Sequence, residues 1–417
     1  MSKTVLLGEI ADIITGPFGS QLHMEDYVDE GIPVIMPQNI GDRRVNEDGI
    51  AKITEKDFKR LQRYSTKKND IVYARRGDVE KHAFIETDEP AICGTGCLRV
   101  RVINKDVYPL FLSIYLNRPE TKKWLTTHAV GSNMPNLNTD ILSSVPVEVP
   151  IYAEQIKRAN IVWDIDKKVQ LNKRINDNLT RQAKLLYDYW FTQFDFPDEN
   201  GKPYRSSGGK MVWNEQLKCN IPENWSVIPL SNVFTFKSGY SFSSDLYQTS
   251  GKYKLLTIKN VQNDGVNLNV DNYISDLPEN VPDYCLLKAN DILMSLTGNV
   301  GRIGIMYADN CLLNQRVALA EPINNELKSY VYFLLKSDII HKQYEMIANG
   351  SSQQNLSPIE AEKVMIAYNP KIAIAFSKLC QKHLNTIVSN LAENQELISL
   401  RNWLLPMLMN GQATIAD

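Results

Sequence analysis

No stretch of this sequence approaches the roughly 18 consecutive apolar residues that a membrane-crossing helix requires. The opening MSKTVLLGEIADI lacks the cationic segment and apolar run of an export signal, so a cytoplasmic chain with no membrane partner is expected. Cysteine is scarce. Six are spread over 417 residues (Cys93, Cys97, Cys219, Cys285, Cys311, Cys380), which fits reduced thiols rather than a disulfide framework. Cys93 and Cys97 form a CGTGC cluster, but no second Cys or His pair at zinc-like spacing accompanies it, so buried thiols in a strand are expected there rather than a metal site. The five histidines are scattered, with no pair at metal-ligand spacing. Strong charge is missing too: the formal net charge is −2, so any nucleic-acid contact has to come from local basic and polar patches.

Catalytic signatures are also lacking. An enzyme that methylates an extruded adenine needs an Asn/Asp-Pro-Pro-aromatic motif and a glycine-rich cofactor loop; the nearest fragments, NMPN at 133–136 and Asn369-Pro370, lack the adjacent prolines. A nucleotide-driven motor needs G-x-x-x-x-G-K-[ST], and SSGGKM at 206–211 has Met where Ser or Thr should hold magnesium. PDENGK at 197–202 crowds acids and a lysine into a loop-rich segment and reads as a turn rather than a nuclease centre. No catalytic, cofactor-binding or metal-binding residue is assigned. What remains is ordinary globular composition, with 43% hydrophobic and 23% charged residues, in a chain long enough for roughly two to four compact units.

The chain is written nearly twice. LGEIADIITGPFGS (7–20) is answered by LSNVFTFKSGYSFSS (230–244), and IPVIMPQNI (32–40) by YKLLTIKNV (253–261). KKNDIVYARRGDV (67–79) is answered by LKANDILMSLTGNVG (287–301), in which a turn-type Asn-Asp introduces a short buried strand and a glycine-containing loop. GSNMPNLNTDILSSVPVEVP (131–150) and GSSQQNLSPIEAEKVMIAYNP (350–370) close the two copies. The first copy starts almost directly at LGEIADI, with no counterpart expected for the IPENWSVIPL lead-in of the second.

Each copy ends in a long helix, expected to have no proline in its body. Ile165, Val169, Asn172, Asn176, Leu179, Ala183, Leu186 and Trp190 fall at alternating spacings of four and three, the seam of a coiled coil. The same seam recurs 218 residues later at His383, Ile387, Asn390, Asn394, Leu397, Arg401, Leu404 and Leu408. A buried seam Asn lowers stability but fixes register, so its recurrence at two matching positions points to pairing of the helices with each other, antiparallel. Val169, Asn172, Asn176, Leu179, Leu186, Ile387, Asn390, Asn394, Leu397 and Leu404 are the expected pairing residues. The connector 194–230 is rich in turn formers, and Trp213 and Trp225 are expected to pack it down.

LLYDYWFTQFDFPDENGKPYRSSGGKMVWNEQL followed by IPENWSVIPLSNV, together with the duplicated plan, resembles the specificity subunits of Type I restriction-modification systems over essentially the whole chain. The fold expected is α/β (α+β): two similar globular target-recognition domains joined by two long antiparallel helices in a pseudo-twofold repeat. The boundaries expected are 1–150 and 197–370 for the recognition domains (the latter with the connector), with helices at 151–196 and 371–417. The resemblance implies a prokaryotic, non-catalytic reader of double-stranded DNA, each domain reading half of an interrupted site. It further implies two modification subunits that carry S-adenosylmethionine and methylate adenine, and motor-nuclease restriction subunits that use ATP and Mg. Two rival readings are a self-sufficient DNA methyltransferase or nuclease, and a two-headed coiled-coil scaffold that binds no DNA.

Reading DNA needs Arg and Lys for guanine, Asn and Gln for adenine, and hydroxyl or basic groups for phosphates. In the first copy such residues are Ser20, Gln21, Gln38, Asn39, Arg75, Arg76, Asn133 and Asn136; in the second they are Ser243, Ser244, Lys259, Asn260, Asn299, Arg302, Ser351, Gln353, Gln354 and Asn355. For any one of these, a solvated loop or turn-forming role is the alternative.

Overall fold

The computed structural model describes residues 3–131, 135–263, 265–350 and 354–413. The chain separates into two compact units, Met1–Lys167 with Ile398–Asp417, and Lys168–Leu397.

In the first unit the fully buried run Ile71–Ala74 forms a central strand, as a short continuous apolar segment bounded by turn residues should. It pairs antiparallel with Cys97–Val102 and His82–Phe84, and Ala11–Thr15 completes the four-stranded sheet on the far side of Cys97–Val102. A second four-stranded sheet holds Tyr27–Val28, Ala51–Ile53, Ile32–Ile35 and Ile92–Cys93, the last two parallel. The core gathers Leu7, Tyr73, Leu98, Phe111, Leu142 and Trp163, and Leu405, Leu408 and Met409 from the far end of the sequence close it.

The second unit repeats this plan. Phe234–Ser238, Val317–Pro322, Ile292–Ser295 and Ile303–Ile305 make the antiparallel sheet, while Tyr253–Leu256 runs parallel to Cys311–Leu313 in the other. The agreement extends to single residues: Asn69 and Asn290 both adopt φ 73°. A lead-in strand is present in both units, contrary to expectation. Lys3–Leu6 pairs antiparallel with Pro146–Val149 just as Ser226–Pro229 pairs with Met365–Tyr368; KTVL escapes a comparison of sequences because it shares backbone pairing, and almost no residue types, with SVIP.

The long helices span Tyr152–Tyr187, continued by a π-helical turn Asp188–Thr192, and Pro370–Met409. Within the second unit they run antiparallel. Asn172 Nδ2 donates to Asn394 Oδ1 at 3.0 Å and to Glu393 Oε2 at 2.7 Å, and Asn390 Nδ2 donates to Asn176 Oδ1 at 2.8 Å. Val169, Asn172, Asn176, Ile387 and Asn394 are buried, and Leu179, Leu186, Asn390 and Leu397 partly so. Within the first unit buried Asp166 pairs with buried Arg43 and accepts from Arg401 Nη1 at 2.9 Å, while Leu404 packs against the core.

Two expectations need correction here. Pro406 lies inside the second long helix; it stands in the final turns, where the missing N–H removes one hydrogen bond and the helix still reaches Met409. Of the connector tryptophans, Trp225 is buried among Phe191, Phe194 and Phe196, but Trp213 is 56% exposed on the hairpin Met211–Asn214 with Cys219–Pro222. PDENGK is a turn: Asp198 accepts through its carboxylate from the N–H groups of Asn200 and Lys202, both at 2.8 Å.

Candidate nucleic-acid interface

Strand direction decides where the polar loops emerge. Ala11–Thr15, Cys97–Val102, Ile71–Ala74 and His82–Phe84 alternate, so the chain leaves after Thr15 and Ala74, and enters before Cys97 and His82, at the same end of the sheet. Backbone hydrogen bonds stitch those loops together. Gly16 N–H donates to Cys97 O at 3.0 Å, Arg75 N–H to Gly96 O at 2.8 Å, Leu137 N–H to Arg75 O at 2.8 Å, and Gly94 N–H to Ile35 O at 2.9 Å. Four separate stretches, 16–21, 36–40, 75–77 and 135–137, therefore meet around the 94–96 turn. The fit is close enough that a Cβ at Gly16 would stand 2.1 Å from the Gly94 carbonyl oxygen.

The second unit builds the same cluster from different residues. Gly239 N–H donates to Val317 O at 3.0 Å, Leu296 N–H to Arg316 O at 3.0 Å, Leu356 N–H to Leu296 O at 2.8 Å, and Asn314 N–H to Leu256 O at 3.3 Å. A Cβ at Gly239 would meet the Asn314 carbonyl oxygen at 2.2 Å. The loops 239–244, 257–260, 296–299 and 354–356 thus converge on the 314–316 turn.

Within this frame the candidate side chains divide. Ser20, Gln21, Gln38 and Arg76 are exposed in the first unit, although Gln21 Oε1 also accepts from Tyr64 OH at 2.8 Å. Arg75 is half-buried and its Nε donates to Asn136 Oδ1 at 3.3 Å, which ties two candidates to each other. In the second unit Ser243, Ser244, Lys259, Asn299, Gln354 and Asn355 are exposed. Ser243 Oγ donates to Asp245 Oδ2 at 3.2 Å, Lys259 pairs with Asp271 at 3.3 Å, and Asn355 Oδ1 accepts from Thr297 Oγ1 at 2.9 Å. Asn133, Ser351 and Gln353 lie outside the described residues.

Three candidates face elsewhere. Asn39 is 2% exposed, accepting from Met36 N–H at 3.1 Å and donating to Asn46 O at 3.2 Å. Asn260, 5% exposed, accepts from Thr257 N–H at 2.9 Å and donates to Asn267 O at 2.9 Å. Both brace their own loops, the turn-forming role open to any Asn, and neither has a free edge for a base. Arg302 lines a cavity with Asn176, Asp177 and Arg181 of the first long helix, on the helix side of the unit. Conversely, sequence reasoning passed over Phe18, Gln315 and Arg316, all exposed in the clusters. NQR at 314–316 carries the required residue types, but its counterpart in the first copy, GTG at 94–96, masked the match.

Cys93 and Cys97 are buried, Cys97 Sγ donates to Ile35 O at 3.3 Å, and burial pushes the Cys93 thiol up to about 12. Among the described residues no group of three or more His, Cys, Asp or Glu side chains could hold a metal ion, and no helix is long and apolar enough to cross a membrane.

With this geometry in place, comparison with known proteins is decisive: the family model described as the Type I restriction modification DNA specificity domain matches twice, over residues 2–181 and 222–395. The chain belongs to that family. The relatives it resembles include the MjaIX specificity subunit of a Type I restriction enzyme from Methanocaldococcus jannaschii, 23% identical over 99% of this chain and 92% of the relative. The HindI specificity subunit from Haemophilus influenzae is 22% identical over 91% of this chain and 94% of the relative. In fold, the crystal structure of a Type I restriction-modification S subunit from M. genitalium superposes with a TM-score of 0.57 at 17% identity, covering 98% of this chain and 96% of that one. The two specificity subunits are thus matched over 92% and 94% of their own lengths, with one family domain falling in each half of the chain.

Proposed function

We propose that the chain is the DNA-sequence-reading subunit of a Type I restriction-modification complex, with one target-recognition domain in residues 1–150 and the other in 197–370. Each reads one half of a bipartite target in double-stranded DNA. The long helices set the gap between the half-sites and dock two modification subunits. Adenine methylation from S-adenosylmethionine and ATP- and Mg-dependent cleavage belong to the modification and motor-nuclease partners.

The observation that carries this reading is the duplicated loop cluster: in each unit four stretches rich in Gln, Asn, Ser and Arg meet at one end of a sheet, held there by backbone hydrogen bonds and close glycine contacts. Base edges are read by such groups held at fixed positions. Family membership supports the same reading for both halves.

The test is reconstitution. The chain alone with S-adenosylmethionine and DNA should show no turnover, and adding the modification subunit should yield methylated adenine in both strands of one interrupted motif. Binding should be sequence-selective and weaken steeply with salt as phosphate contacts release counterions. Turnover by the isolated chain would favour a self-sufficient enzyme, and salt-insensitive or absent DNA binding would favour a protein scaffold.

A further inference from the structure

In the first cluster one side chain has no explanation in packing or hydrogen bonding. Of the twelve phenylalanines, Phe18 alone is exposed, at 60%, while the other eleven are buried or partly buried. A solitary exposed apolar residue on a helix face needs no special account. Phe18 is different because its backbone is pinned. Pro17 before it is buried, Gly16 is seated against the 94–97 turn, and the Phe18 carbonyl accepts from Gln21 N–H at 2.8 Å to close a tight turn. Gly19 after it has nothing within 4 Å of its Cβ position, so the backbone next to the exposed ring faces open space. Exposed Gln38 and Arg76 belong to the same cluster.

The second unit lacks this feature. Aligned on Gly16 and Gly239, the counterpart of Phe18 is Ser241, and the loop aromatic one place later, Phe242, is 5% exposed in a core with Tyr253, Leu255 and Leu312.

We propose that Phe18 is a specificity-determining wedge that enters between two stacked base pairs of the half-site read by the first unit, and of that half-site alone. The inference rests on the DNA-reading function proposed above. An exposed apolar ring on a pinned backbone can part a base step while neighbouring polar groups hold the duplex, as apolar wedges do in other DNA-bending proteins. The cost of parting a step depends on its sequence and is least at pyrimidine–purine steps, so Phe18 contributes selectivity without contacting a base edge.

The experiment uses the full chain with its modification subunit and duplexes carrying 2-aminopurine at successive positions of each half-site, the methylatable adenine left unlabelled. Apart from the positions flanking each adenine extruded for methylation, wild type should brighten at one step in one half-site only. F18A should abolish that signal and bind about tenfold more weakly, whereas F18L should keep it; thermal melts matching wild type for both variants separate this from misfolding. Equal fluorescence in wild type and F18A at every position, or an F18A-sensitive signal in both half-sites, would overturn the wedge. Absence of any sequence-selective binding by wild type would instead overturn the DNA-reading function.

Discussion

Arg75 and Arg76 are neighbours with different duties. Arg75 is held against Asn136 and closes the backbone link to Leu137, while Arg76 projects into solvent from the same loop. Arg76→Ala should therefore relax discrimination at one or two positions of a single half-site, by roughly 1–3 kcal/mol for each bidentate hydrogen-bond pair to a base that disappears, and single-base variants of the target measured by competition binding would check it. Behind the loop sits His82, fully buried, its ring tilted at 35° to that of Tyr73 and its Nε2 3.0 Å from Ser113 Oγ. Burial, joined by the nearby Arg43 charge, pushes its imidazole down to about 3. The unfolded chain takes up a proton near pH 6.5 that the folded chain refuses. The contribution of His82 to stability is thus present above pH 6.5 and is lost progressively as pH falls towards 3. Urea melts at pH 7 and pH 5 should show His82→Gln losing less stability on acidification than wild type. Residue type alone could not have told Asn39 and Asn260 from Gln38 and Lys259, since adjacent positions in one polar loop point oppositely once the loop closes.

Elements were easier to foresee where periodicity is long. The heptad spacing of the helices, with paired asparagines 218 residues apart, anticipates the register in which Asn172 meets Asn394 and Asn176 meets Asn390. Short elements gave less: Lys3–Leu6 is four residues long, and its pairing with Pro146–Val149 is a long-range contact that no local pattern encodes. The asparagine ladder predicts its own exchange behaviour. Replacing Asn172 and Asn394 together with Val or Leu removes two buried amides and should raise the thermal midpoint, while allowing shifted or intermolecular pairings that the amides disfavour. Size-exclusion chromatography with light scattering should then show additional species beside the wild-type form. Replacing Asn172 alone should destabilise, because Asn394 is left buried without its donor.

At the scale of the molecule, the duplication was legible because the offset between copies stays near 221 from the first polar strand end to the Asn-Asp turn. The division into units was not. The last segment, Ile398–Asp417, belongs with Met1–Lys167, and hydrophobicity along the chain does not reveal which core a helix end completes. Leu405, Leu408 and Met409 are buried beside Leu7, Phe111 and Trp163. Truncation after Leu397 should consequently destabilise the N-terminal unit, although every residue removed is more than two hundred positions from it, with Leu405 and Leu408 each leaving a cavity costing about 2–5 kcal/mol. Hydrogen exchange in Ile71–Ala74 and Cys97–Val102 should accelerate while that of Ile292–Ser295 is spared.

A chain assembled from its beginning meets this arrangement in time as well as in space. During synthesis the first unit is made early yet waits with an open apolar seat until Leu405, Leu408 and Met409 have been added, whereas Lys168–Leu397 can fold as soon as its own span has emerged. The half translated first is completed after the other, so a premature stop soon after Leu397 would disable the earlier reader and leave the later one intact.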